Sequence, residues 1–232
     1  MKKSLYSLMV AFAAMAITSC GGGSSDSSDG MFGNIPQTLE KYDKEKKDLN
    51  ASLNESNFQK NLTKIDELKS ETIANLEKEG EGLNGKQLPV SVDETELKIE
   101  TPLTLVYKNV FSNVTAVEFG LDGKIVAAKD LKLEIASSDL KGREMFGGKS
   151  TVVTAKLPVH IEFLDSEGNV VDTRTIGYIE AENNGEEAVI KTGSAVDFSI
   201  CSIPVTEKFI NVVSARVVID LTKGLTSETM PE

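Results

Sequence analysis

One histidine, His160, and two cysteines, Cys20 and Cys201, are the only imidazole and thiol groups among 232 residues. A zinc site draws three or four such ligands, and an activated nucleophile needs a base within reach, so both chemistries start short of parts. His160 sits in the alternating run Val159-His160-Ile161, which turns it away from the face its apolar neighbours bury. It is expected to be an outward-facing strand residue. Cys201, in Phe198-Ser199-Ile200-Cys201, is expected to be a buried, inert thiol.

Carboxylates are the plentiful functional group. Asp165-Ser166-Glu167-Gly168-Asn169 spaces oxygens as a calcium loop begins, but Val170 stands at position six and Ile176 at position twelve, where glycine and an acid belong. A hairpin turn is expected there. Glu180, Glu182, Glu186 and Glu187 gather around Asn183-Asn184-Gly185, where capture of a hard cation competes with a plain solvated loop. Glycoside hydrolysis by paired acids needs stacking aromatics, and the chain has no Trp and four Tyr. Nucleophile elbow, phosphate loop, dinucleotide fingerprint and His-Glu-x-x-His helix are all missing. The chain reads as non-enzymatic, with no cofactor and no metal site.

The segment with most to offer a partner runs from Ser138 to Ser150. Arg143, Met145, Phe146 and Lys149 make it basic and apolar inside an acidic protein, and two strong strand patterns flank it. Binding residues concentrate on loops that rigid strands position. Met145 and Phe146 could anchor a partner while Arg143 and Lys149 pair with its acids. Phe146 folding back to close the end of the domain is the alternative.

Cys20 has a different context. Lys2 and Lys3 precede an apolar run of about 13 residues, too short to cross a bilayer, and Ile17-Thr18-Ser19-Cys20 is followed by Gly21-Gly22-Gly23-Ser24-Ser25-Asp26. This pattern resembles the lipobox of bacterial lipoproteins, and the tether resembles that of Bacteroidetes outer-membrane lipoproteins. The resemblance implies cleavage after residue 19, lipidation of Cys20 and an outer-membrane address facing the periplasm or the cell surface. Acyl chains at about 0.8 kcal/mol per buried CH2 would then anchor a soluble body. Removal of residues 1–19 takes away Lys2 and Lys3 and no acid, shifting the net charge from −11 to −13. Such a balance gives no general attraction to nucleic acid or anionic lipid. Residues 20–35, rich in Gly, Ser and Asp, are expected to be a flexible tether.

Apolar residues then recur at spacings of three and four over residues 36–80, through Leu39, Tyr42, Leu49 and Leu53 and again from Phe58 to Leu76. Two helices are expected, with Pro36 near the start of the first, Ser56 and Gln59 as a capping box on the second, and Gly80, Gly82 and Gly85 ending it. Their narrow stripes would pack on each other or on the domain that follows, or serve as a stalk.

From residue 88 to 225 the period changes to two. Leu97 to Tyr107, Leu131 to Ile135, Val153 to Phe163 and Val213 to Leu221 alternate, and shorter runs lie at 114–121, 125–128, 170–180, 187–191 and 195–205. Asp122-Gly123, Gly168-Asn169, Asn184-Gly185 and Gly193 supply turn signals. Pro102 and Pro158 are expected at edges or bulges. The expected fold is mainly β, an antiparallel sandwich behind a helical hairpin. Val159 to Val171 and Lys191 to Phe198 resemble the hairpin and following loop of immunoglobulin-like domains of the FxLYD and late-embryogenesis-abundant type, which implies an immunoglobulin-like sandwich. The expected role is a lipid-anchored interaction module with an envelope or extracellular protein partner. The competing expectation is an accessory that captures a small ligand, glycan or divalent cation.

Overall fold

A computed structural model describes residues 30–133, 153–183, 188–219 and 221. Two helices, α1 (Ile35–Ala51) and α2 (Phe58–Leu83), lead into ten strands: β1 (Val90–Val92), β2 (Leu97–Val110), β3 (Val117–Ala127), β4 (Leu131–Leu133), β5 (Val153–Leu164), β6 (Val170–Asn183), β7 (Ala188–Ile190), β8 (Val196–Asp197), β9 (Ile203–Val205) and β10 (Ser214–Ile219). A 3-10 turn, Glu207–Asn211, precedes β10. The large sheet has the order β1-β10-β5-β6-β7-β4 with β8 also on β6, and the small sheet the order β2-β3-β9. One pairing departs from the antiparallel expectation, since β1 runs parallel to β10.

The alternation read on β5 holds. Leu157, Val159, Ile161 and Phe163 are buried, and Lys156, Pro158, His160 and Glu162 are not. Pro158 opposes Tyr178 of β6 one residue before the register slip at Val159/His160, and lies one residue beyond Val159–Ile219, the last β5–β10 pairing among the described residues. On β6 the register slips where Val159 opposes Gly177 and His160 opposes Thr175. Ile176 is the extra residue, and beyond it the faces exchange, so that Asp172 and Arg174 lie opposite core residues Phe163 and Ile161.

Asp122-Gly123 does not make the expected turn. The runs at 114–121 and 125–128 belong largely to one strand, β3, and Gly123 at φ +137 sits where its pairing with β2 is irregular. A Cβ there would lie 2.7 Å from the Pro102 carbonyl, so the glycine serves a close approach inside a bulge. Gly168 and Gly193 do hold positive φ in turns.

The helices differ from expectation at both ends. Asn57, not Ser56, precedes α2, and Asn54 Oδ1 accepts from Ser56 and Asn57 in place of a capping box. Gly80 and Gly82 lie inside α2, and a Cβ on Gly80 would collide with the Tyr107 ring, so Gly80 lets the helix approach β2. Leu39 and Tyr42 of α1 and Leu76 and Leu83 of α2 join the same buried cluster as the strands, so the hairpin packs on the β layers. At its far end, buried Asn61 donates to Ser52 Oγ at 3.0 Å and ties the two helices across their loop.

The flexible segment expected through residue 35 stops sooner. Met31 N–H donates to Val212 O at 2.9 Å, and Phe32 and Ile35 are fully buried. Phe32 meets Phe119 of β3 at 6.1 Å between ring centroids, Phe163 of β5 at 5.8 Å and Phe209 of the 3-10 turn at 5.3 Å. One side chain therefore touches both sheets. Phe32→Ala is expected to cost about 3–5 kcal/mol of folding stability in urea titrations. A loss under about 1 kcal/mol would show the lead-in to be dispensable.

Candidate functional site

Cys20 and the loop residues Arg143, Met145, Phe146 and Lys149 lie outside the described residues, as do Glu186, Glu187 and the Asn184-Gly185 turn. The strand ends that carry the loop are described. Leu133 pairs with Ala188, Ala188 with Asn183, and Asn183 with Val153. The two anchors of the basic, apolar loop and the start and end of the acidic β6–β7 connection thus share one end of the large sheet.

At the opposite end of β5, Leu164 O accepts from Val213 N–H, and Val212 O accepts from Met31 N–H. The chain from the amino terminus joins the fold there. β5 spans about 36 Å between these ends at roughly 3.3 Å per residue.

His160 is half-buried, and its Nδ1 lies 3.2 Å from the Thr175 hydroxyl. Cys201 is buried and unpaired, and burial pushes its thiol up to about 11. Asp165 accepts from the backbone N–H of Glu167 and Asn169 and from the Asn169 side chain, which closes the hairpin and holds its carboxyl below the usual range. Glu180 lies 4.0 Å from Lys156. Among the described residues, no three His, Cys, Asp or Glu gather as a metal site, and no helix is long and apolar enough to cross a membrane.

Two clefts beside α1 escaped the sequence reading. One, of about 490 Å³, lies between the helices and is lined by Thr38, Tyr42, Leu68, Thr72 and Glu79 among others. Thr38 donates to Glu79 at 3.4 Å, yet burial outweighs that bond and raises the Glu79 carboxyl above its ordinary value. The other, of about 480 Å³, lies between α1, the turn of residues 111–116, β6 and the 3-10 turn. Its β6 wall carries Arg174, whose Nε donates to Asp172 at 2.7 Å, and both reach it because of the bulge at Ile176. Val114, in its wall, is the one non-glycine residue at positive φ among the described residues, at +58. A β-branched side chain in that region costs about 1–3 kcal/mol and persists only where packing over-determines it. Val114 is buried.

A carboxyl raised by burial destabilises the fold once it ionises. Stability at Glu79 is therefore lost as pH rises from the unfolded value, near 4.5, through the higher folded one. Glu79→Gln, which keeps an acceptor for Thr38, is expected to raise Tm at pH 7 and to match the parent protein below pH 4; an equal difference at both pH values would refute the assignment. A Cys20→Ser chain is expected to leave Cys201 unreactive to a thiol reagent at pH 8 until denaturant is added. Full labelling under native conditions would contradict its burial. No protein-family model, no curated protein and no solved structure matches the chain.

Proposed function

We propose that this protein is a non-enzymatic interaction module fastened to the bacterial outer membrane through lipid on Cys20, with a protein partner in the envelope or outside the cell. The supporting observation is the opposition of the two ends of β5. The lead-in from Cys20 meets the fold beside Leu164, and the strand ends that carry Arg143, Met145, Phe146 and Lys149 lie at Val153 and Leu133. With residue 31 already held on the fold, the tether is the ten residues 21–30, which reach roughly 17 Å, and β5 adds about 36 Å. The loop would then stand clear of the lipid. Two sheets sharing one buried cluster support the immunoglobulin-like sandwich reading, from which the parallel β1–β10 pair departs.

Radiolabelled palmitate is expected to enter the expressed chain and to be lost with Cys20→Ala, which should also release the protein from sedimented membranes. In cells, a photocrosslinker at residue 146 is expected to capture an envelope protein that one at residue 167 does not. Membrane retention of Cys20→Ala without label would sink the anchor, and identical capture from both positions would sink the loop.

A further inference from the structure

The cleft beside α1 collects positive charge that the composition does not favour. Lys46 and Lys47 of α1, Arg174 of β6 and Lys208 of the 3-10 turn line it, in a chain with 36 acids and 25 bases. Three carboxylates share the lining. Asp43 is committed to Lys47, Asp172 is committed to Arg174, and Glu207 lies near enough to Lys47 to raise its pKa. Lys46 stands 5.5 Å over the Tyr42 ring, and the Lys208 ammonium has no carboxylate partner among the described residues.

We propose that this cleft binds an oxyanion, the phosphate or carboxylate group of a small ligand, with Arg174 as the forked donor and Lys208 as the countercharge. The hydrogen bond to Asp172 uses Nε, which fixes the guanidinium plane and leaves both terminal amino groups for a bidentate acceptor. Arg174 stands on the side of β6 opposite Ile161 and Phe163, with its side chain 39% exposed, so its guanidinium is held by the sheet and still reachable from water. The cleft suits a small molecule, with Leu39, Tyr42 and Val114 as its apolar wall. Packing holds Val114 in its strained backbone conformation in that wall, and such strained residues cluster at ligand sites. This inference does not depend on the lipid anchor.

The test titrates the full chain, in neutral detergent, with sodium phosphate at constant ionic strength set by sodium chloride. A saturable rise in Tm is expected, with amide NMR signals moving at residues 113–115, 172–174 and 206–208. Arg174→Gln should weaken binding about tenfold or more, as loss of a charged hydrogen bond does. Lys208→Gln, an exposed change that leaves the unliganded Tm alone, should weaken it about threefold or more. Saturation by acetate in place of phosphate would assign the group as a carboxylate. Stronger association with phosphatidylglycerol than with phosphatidylcholine vesicles, lost in both variants, would assign its source as a lipid headgroup. A response to phosphate no larger than to chloride, or unchanged affinity in both variants, overturns the proposal.

Discussion

The ring of Phe32 rests against one aromatic side chain from each of three elements, on β3, on β5 and on the 3-10 turn, before the first helix begins. Phe163 and Phe209 meet each other at 5.0 Å, and Tyr107 extends the cluster from Phe119 at 6.0 Å. Tilted and edge-on pairs of this kind add about 0.5–1.5 kcal/mol each beyond the area they bury. The residues ahead of α1 therefore cannot leave without opening the core between the sheets. The helical hairpin, the large sheet and the small sheet behave as one body because a single apolar cluster runs through all of them.

That constraint gives the molecule a direction. Residue 31 is held beside Val212, and β10 starts two residues later against the end of β5. The amino-terminal chain arrives at one end of the long β5–β6 ribbon, and the connection from β4 to β5 leaves from the other. A lipid at Cys20 and a partner at the basic, apolar loop would thus be separated by the length of the strands and not by the tether alone. The cleft beside α1 is a separate feature, built where the bulge at Ile176 turns two charged residues of β6 toward the helix.

Much of this was legible from periodicity. β10 and residues 156–164 of β5 alternate without interruption, and α1 and α2 show their stripes where they meet the β layers, at Leu39, Tyr42, Leu76 and Leu83, whereas Phe58 and Leu62 of the same α2 stripe are exposed. What escaped were places where a local signal served a tertiary need. Asp122-Gly123 carries a hairpin signature, yet Gly123 lets β3 pass the Pro102 carbonyl. Gly80 looks like a helix stop and instead seats Tyr107. Phe32 and Ile35 were hidden by the glycine, serine and aspartate around them, since average composition says nothing about two anchors in a tether. The cleft could not be read at all. Its cations come from three separate stretches of chain, and only a one-residue slip on β6 brings Arg174 to them.

The central claim is that the tether's arrival point and the loop-bearing strand ends stand at opposite ends of one rigid body. Spin labels at Asn34 and Glu182, both exposed, in a Cys20→Ser chain whose Cys201 is buried, measure this by double electron–electron resonance. The expected result is a single narrow distance of about 33 Å, the rise of the ten residues from Thr154, opposite Glu182, to Leu164. A broad distribution, or a distance below about 15 Å, would contradict it.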